Sequence, residues 1–98
     1  WVHLAATALV IAAGFFFRLT LAEWLWIAAA IGAVWIAELF NTAIEFLCDA
    51  LRPQFDPQIG RVKDVAAAAV LMTAFIAAII GAIIFWPYLA HIVTGGAH

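Results

Sequence analysis

The sequence predicts an all-α protein with three transmembrane helices that form a single membrane domain over residues 1–98. Of its 98 residues, 69% are hydrophobic and only 10% are charged, whereas about a quarter of the residues in a soluble domain are charged. The apolar residues fall into three long segments, as in a multi-pass membrane protein. The net charge of −2 gives no basic surface, so we expect no nucleic-acid partner.

The first apolar segment runs from Val2 to Phe17. Its 16 residues would form about 24 Å of helix, which is less than the roughly 30 Å hydrocarbon core of a bilayer. We therefore expect a helix at about residues 1–18 that continues upstream of Trp1 in the natural protein. Arg18 and Glu23 bracket the short turn that follows.

The second segment predicts a helix at about residues 21–50, and the third apolar run extends from about Val65 to Trp86. Asp56 and Pro57 are typical of an N-cap and a first helical residue, so the third helix is expected at about 57–87, ending at Pro87. The connection at about 51–62 is polar and basic. By the positive-inside rule it faces the cytoplasm.

The far end of the second segment carries three carboxylates and one amide on one face of the predicted helix. At about 100° per residue they fall at roughly 0°, 300°, 340° and 20° around the axis, in the order Glu38, Asn41, Glu45 and Asp49. Ionisable groups at membrane depth are costly and usually face a protein interior or a polar cavity. The stripe therefore predicts a functional site.

The start of the third helix should lie at the same height as this stripe. If Trp24 and Trp86 both anchor at the outer interface, Asp49 lies about 37 Å along the second helix and Lys63 about 35 Å along the third. Both then reach the cytoplasmic headgroups, and Glu38 lies a turn or two deeper.

Carboxylates beside a lysine at a lipid interface suit phosphoryl transfer. Mg²⁺ commonly takes one or two carboxylates together with phosphate oxygens, and Glu45 lies where a water-borne nucleotide could deliver them. A deeper carboxylate such as Glu38 can act as general base toward a lipid hydroxyl, while Lys63 offsets charge on the transferred group. Neither the Walker A pattern nor G-x-G-x-x-G occurs in the sequence, so neither common nucleotide cradle is present.

Two motifs are distinctive: E-x-x-N-T-A-I-E-x-x-x-D from Glu38 to Asp49, and K-D-x-A-A-x-A-V from Lys63 to Val70. On these motifs the chain resembles the prokaryotic diacylglycerol kinase / undecaprenol kinase family, small integral-membrane lipid kinases unrelated to soluble kinases. The resemblance implies a homotrimer in the bacterial cytoplasmic (inner) membrane, with its active site on the cytoplasmic side.

The resemblance also implies an activity: transfer of the γ-phosphate of ATP, with Mg²⁺, to the hydroxyl of a membrane lipid. Diacylglycerol, giving phosphatidic acid, is the expected acceptor, and undecaprenol is the alternative. The family's pattern implies that Glu38 is the catalytic base, that Glu45 binds metal and nucleotide, that Lys63 and Asp64 contact the nucleotide, and that Asn41 and Asp49 support the site.

The chain departs from the family at its beginning. Family members carry an N-terminal amphipathic surface helix, and then an Asn-Glu motif whose glutamate joins Glu45 at the metal. The sequence begins at Trp1, past that motif, with His3 just after it. We therefore expect the surface helix to be absent from this chain and lipid phosphorylation by these residues to fall far below that of an extended chain.

Two other classes of protein stay open. A proton-conducting subunit would also bury carboxylates in one stripe, but it would carry polar residues across the whole bilayer, and residues 25–36 and 74–85 are apolar. A non-enzymatic membrane assembly protein would not explain why Lys63 and Asp64 reach the height of Glu45.

Individual residues of the stripe also have structural interpretations. Asp49 could be a solvated acid at the membrane interface, and Asn41 could form a hydrogen bond between helices.

Overall fold

The computed structural model describes residues 1–51 and 57–95, and within these ranges it contains helices and no β-strand. Helix α1 covers Val2–Phe17, α2 covers Leu21–Leu51 and α3 covers Pro57–Val93. The predicted all-α fold with three helices is confirmed. The predicted N-cap Asp56 and the basic Arg52 lie outside the described residues.

Two of the helices, α2 and α3, are long and apolar enough to cross a membrane, and α1 is a shorter apolar helix. With 31 and 37 residues, α2 and α3 measure about 46 and 55 Å, so each exceeds the roughly 30 Å hydrocarbon core. The molecule is correspondingly elongated, with extents of 60 × 21 × 19 Å. In a bilayer of that thickness, helices of this length would extend into the aqueous interface on both sides.

The turn between α1 and α2 is closed by backbone hydrogen bonds. Arg18 adopts a left-handed conformation (φ 56°, ψ 59°), and its N–H donates to the carbonyl of Phe15 at 3.3 Å, while the N–H of Leu19 donates to the carbonyl of Gly14 at 3.1 Å. This pattern is a Schellman motif, which satisfies the last carbonyls of a helix. It reverses the chain within three residues.

The start of α2 is capped by its own side chains. The N–H of Thr20 donates to Oε1 of Glu23 at 2.9 Å, and the N–H of Glu23 donates to the Thr20 hydroxyl at 3.2 Å. This reciprocal pair is a capping box. The Tyr88 hydroxyl of α3 donates to the same Glu23 oxygen, so the cap also ties α3 to the turn.

Aromatic rings pack around this turn. The Trp24 ring lies against Gly14 so closely that a Cβ there would overlap it. Phe15 and Trp24 have ring centroids 5.1 Å apart, and Phe17 and Tyr88 have theirs 5.5 Å apart. We call this region, residues 14–24 with residues 85–88, the turn end.

The prediction that α3 stops at Pro87 is wrong, because the helix continues to Val93. A proline inside a helix loses one hydrogen bond and crowds the preceding turn, but such breaks are tolerated in membrane helices, where neighbouring groups satisfy the freed carbonyl. Here the next residue, Tyr88, is held by Glu23 and by the ring of Phe17. These contacts fix the turn that follows the proline.

The contacts between α2 and α3 form most of the packing. Their buried side chains are small or β-branched: Ile27, Ala30 and Cys48 on α2, and Ala66 and Val70 on α3. Most other large apolar side chains are exposed, as expected when lipid or further subunits cover them.

Candidate active site

The four polar residues of the stripe lie on α2, and they contact both neighbouring helices. Glu38 lies beside α1, where its Oε2 is 3.0 Å from Nε2 of His3. About a third of each side chain is exposed, 32% for Glu38 and 30% for His3. Glu38 is therefore half-buried and held on one oxygen, and its Oε1 has no partner among the described residues.

His3 has further contacts through its backbone carbonyl and its ring. The Thr7 hydroxyl donates to the backbone carbonyl of His3 at 2.7 Å, and the indole N–H of Trp35 donates to the same hydroxyl at 2.9 Å. The rings of His3 and Trp35 are tilted by 60° with centroids 6.1 Å apart. Polar contacts between α1 and α2 thus concentrate around Glu38.

One helical turn further along α2, Asn41 holds Glu45. The Asn41 amide nitrogen donates to Oε1 of Glu45 at 2.7 Å, which is the i to i+4 contact expected for neighbours on a helix face. Glu45 is exposed. The Asn41 carbonyl oxygen is buried and has no hydrogen-bond partner among the described residues, so this amide has an unused acceptor.

At the end of the stripe, Asp49 reaches α3. Nζ of Lys63 donates to Oδ1 of Asp49 at 2.7 Å, and the two side chains are 36% and 55% exposed. Lys63 also lies near enough to Glu45 for their charges to interact. The structure therefore brings Lys63 to the stripe. Asp64, the next residue of α3, is exposed. We call Glu38 to Asp49 together with Lys63 the acidic end.

A cavity of about 490 Å³ opens between α1 and α3, over the face of α2. Small residues of α3 and branched residues of α2 form its walls, including Ala77, Gly81 and Val34. His3 and Thr7 supply the polar lining, in an otherwise apolar set. The cavity is thus apolar along most of its lining and ends at His3, the residue that contacts Glu38.

The acidic end has too few carboxylates close together to bind Mg²⁺ alone, so the ion would also need oxygen ligands from a phosphate group. Within residues 1–51 and 57–95, no three His, Cys, Asp or Glu side chains come close enough to hold a metal. Glu45 offers one exposed carboxylate, with Asn41 on one of its oxygens. Mg²⁺ is commonly bound by one or two carboxylates plus substrate phosphates and water, so Glu45 is the carboxylate that would contact an ion arriving with a nucleotide.

Sequence reasoning missed the contact of His3 with Glu38. The signal was present in the chain lengths: the α1–α2 turn is centred near residues 18–20, and both helices rise about 1.5 Å per residue. Residues at similar distances from the turn lie at similar heights. By this count His3 lies within about one helical turn of the height of Glu38, and Thr7 within about one turn of the height of Trp35. The capping box Thr20-x-x-Glu23 could also have been recognised from the sequence, because T-x-x-E before an apolar run is its usual pattern.

The arrangement supplies three chemical functions at one end of a membrane bundle. A half-buried carboxylate, with one oxygen that contacts no other described residue, can accept a proton. An exposed carboxylate about 10 Å further along the helix can bind a cation. A lysine beside it can neutralise an anion. The arrangement suits transfer of an anionic group from an aqueous donor to a membrane-embedded hydroxyl.

A family model described as "Prokaryotic diacylglycerol kinase" matches residues 1–85 of the chain. The chain is 41% identical over 87 residues to the undecaprenol kinase of Bacillus subtilis (strain 168), a match that covers 89% of this chain and 71% of that protein. It is 36% identical over 55 residues to the diacylglycerol kinase of Escherichia coli (strain K12), covering 56% of this chain and 45% of that protein. No solved structure gives a significant match.

Proposed function

The chain belongs to the prokaryotic diacylglycerol kinase family, and on that premise we propose that its acidic end transfers the γ-phosphate of ATP to the hydroxyl of a membrane lipid. The family and both named relatives are lipid kinases. An ATP-dependent lipid kinase is therefore the activity of this chain at the level of class. The residues, the metal, the acceptor and the assembly are our proposal.

The observation that carries the proposal is the half-buried Glu38, which His3 holds on Oε2 and whose Oε1 has no partner in the described part of the chain. In the proposed step the acceptor hydroxyl gives its proton to Oε1 of Glu38. The oxygen of the acceptor hydroxyl forms a bond to the γ-phosphorus. The bond from that phosphorus to the β,γ-bridging oxygen breaks, and ADP is released. General-base assistance of this kind contributes about 10²- to 10⁴-fold.

The other residues of the acidic end act on the nucleotide. Lys63 is held by Asp49 at 2.7 Å and offsets negative charge on the transferred phosphoryl group, with Asp64 beside it on α3. Glu45, oriented by Asn41, would hold Mg²⁺ on the nucleotide phosphates. When bound, Mg²⁺ neutralises charge that develops on the phosphate oxygens.

Between the two acceptors, the comparisons favour a polyprenol. The undecaprenol kinase matches 89% of this chain at 41% identity, whereas the diacylglycerol kinase matches 56% at 36% identity. Diacylglycerol, the acceptor expected from the sequence, is the second candidate. Both present one hydroxyl at the interface, and the apolar cavity of about 490 Å³ that reaches His3 suits the adjoining hydrocarbon of either lipid.

We further propose that the acidic end faces the cytoplasm, across the bacterial inner membrane, and that the protein works as a homotrimer. Arg61 and Lys63 lie at the acidic end and Arg18 lies at the turn end, which agrees with the positive-inside rule. Exposed apolar side chains along all three helices, such as Leu9, Leu25 and Phe75, leave surface for subunit contacts.

The test is a substrate panel in detergent micelles or vesicles with γ-labelled ATP and Mg²⁺. Undecaprenol and diacylglycerol are supplied separately at matched mole fractions, and label in the lipid phase is measured. We expect transfer to at least one lipid, with undecaprenol preferred. Absence of label from both lipids, from a folded sample that binds the nucleotide, would contradict the proposed function.

A further inference from the structure

We infer that His3 is a positioning residue for Glu38. It holds one oxygen of the carboxylate, and this leaves the other oxygen to receive the acceptor proton. The inference rests on the proposed function, because it assigns a partner to the group taken there as the general base. It concerns a residue outside both sequence motifs.

The direction of the hydrogen bond follows from the chemistry of its two ends. Nε2 of His3 lies 3.0 Å from Oε2 of Glu38. An ionised carboxylate only accepts hydrogen bonds, so Nε2 must carry the hydrogen whenever Glu38 is ready to act as a base. Hydrogen bonds to a charged acceptor are stronger than neutral ones, so His3 restricts the rotation of a flexible side chain.

His3 is suited to this task because it is itself fixed. Its carbonyl accepts from the Thr7 hydroxyl, which in turn accepts from the indole of Trp35. The Trp35 ring also lies beside the imidazole. The histidine is therefore restrained through its backbone from α1 and through its ring from α2.

The location favours a role in the reaction over one in packing. His3 lies where the apolar cavity ends and Glu38 begins. An apolar side chain in place of His3 would fill the same space against Trp35 without the cost of burying polar groups. Replacing a buried pair of charged groups by apolar residues is often neutral or stabilising, so packing alone does not require a histidine beside Glu38. The contact with Glu38 therefore accounts for a histidine at this position.

Two variants separate the donor from the ring. His3→Gln keeps an N–H donor at a similar distance from the backbone and loses the ring. His3→Phe keeps the ring beside Trp35 and loses the donor. Both are compared with the unchanged chain and with Glu38→Gln, and kcat and KM are measured for ATP and for the lipid. Circular dichroism and thermal melting in detergent establish that each variant is folded.

We expect His3→Phe to lower kcat for lipid phosphorylation by about 10- to 100-fold, the cost of a misplaced reacting group. The KM for ATP should stay within about twofold, because Glu45 and Lys63 are untouched. His3→Gln should recover most of the lost kcat. Full activity in His3→Phe, or equal losses in both variants, would overturn the inference.

A second measurement does not depend on activity or on a folded His3 variant. The ¹⁵N resonances of the His3 imidazole are recorded in the unchanged chain, in Glu38→Gln and in Glu45→Gln. We expect the Nε2 resonance to move in Glu38→Gln and to stay in place in Glu45→Gln. An unmoved resonance in Glu38→Gln would overturn the inference.

These results separate the two proposals. If the unchanged chain phosphorylates no lipid, the proposed function fails, whatever His3 does. If the unchanged chain is active, Glu38→Gln is inactive and His3→Phe is fully active, the proposed function stands and only the role of His3 is wrong.

Discussion

The turn end and the acidic end of this bundle differ in how completely their polar groups are paired within the chain. At the turn end the backbone N–H groups of Arg18, Leu19, Thr20 and Glu23 all donate to partners within the chain, and Tyr88 completes the set by donating to Glu23. At the acidic end, Glu45 is exposed and the buried carbonyl oxygen of Asn41 has no partner among the described residues.

The difference indicates which end holds the fold and which end takes ligands. Polar groups that are satisfied by the chain stabilise a helix pair and leave little capacity for a substrate. Polar groups left open, at a depth where they are costly, are typical of a site that a ligand completes. Substitutions at the turn end should therefore change stability, and substitutions at the acidic end should change catalysis.

The largest effect is expected for Glu38→Gln. The amide keeps the size of the side chain and removes the base, so we expect kcat to fall by about 10²- to 10⁴-fold. Nucleotide binding, measured by equilibrium titration with ATP and Mg²⁺, should stay near that of the unchanged chain. Loss of binding together with turnover would argue for a structural role of Glu38.

The next effect is expected for Lys63→Met, which removes the cation and keeps the aliphatic length. We expect kcat/KM for ATP to fall by about 10²- to 10³-fold, the usual cost of one donor to developing charge. Asp49→Asn is the matched control, because it weakens the 2.7 Å contact and leaves the lysine present, so its effect should be smaller. A larger effect in Asp49→Asn would make the pair structural.

A stability effect of intermediate size is expected for Gly14→Ala at the turn end. A Cβ at Gly14 would overlap the Trp24 ring, and overpacking costs about 1–3 kcal/mol, against about 0.5–1 kcal/mol gained from helix propensity. We expect a lower midpoint of thermal unfolding in detergent. Gly32→Ala is the control, since a Cβ there meets nothing within 4 Å, and it should not destabilise the protein.

The smallest effect is expected for Tyr88→Phe. The change removes the hydroxyl that donates to Glu23 and keeps the ring against Phe17. We expect a slightly lower unfolding temperature and unchanged lipid phosphorylation per folded molecule. A loss of turnover in a folded Tyr88→Phe sample would break the division between the two ends.

The sequence predicted the helices well because hydrophobic patterning and helix geometry are local. The stripe from Glu38 to Asp49 followed from helical periodicity alone, and Pro57 marked the first residue of α3. The end of α3 was predicted wrongly, because Pro87 is a local signal for ending a helix. Contacts made by Tyr88 across the bundle outweigh that signal.

The partners of the acidic residues were harder to predict. Contacts between helices depend on register and rotation, which no single segment encodes. The sequence predicted that Lys63 and Asp49 lie at the same depth but did not predict their contact. The contact of His3 with Glu38 was missed. That second contact requires the position of the α1–α2 turn, which Arg18 and Leu19 fix through their backbone hydrogen bonds.

The most direct test of the central claim is a nucleotide titration followed by NMR in detergent. Asn41 is the single asparagine of the chain, so its side-chain amide can be labelled selectively. The Trp24 indole reports on the turn end and can be assigned with Trp24→Phe. With ATP and Mg²⁺ we predict a saturable shift of the Asn41 amide and an unmoved Trp24 indole. A shift at Trp24 with none at Asn41 would contradict the account.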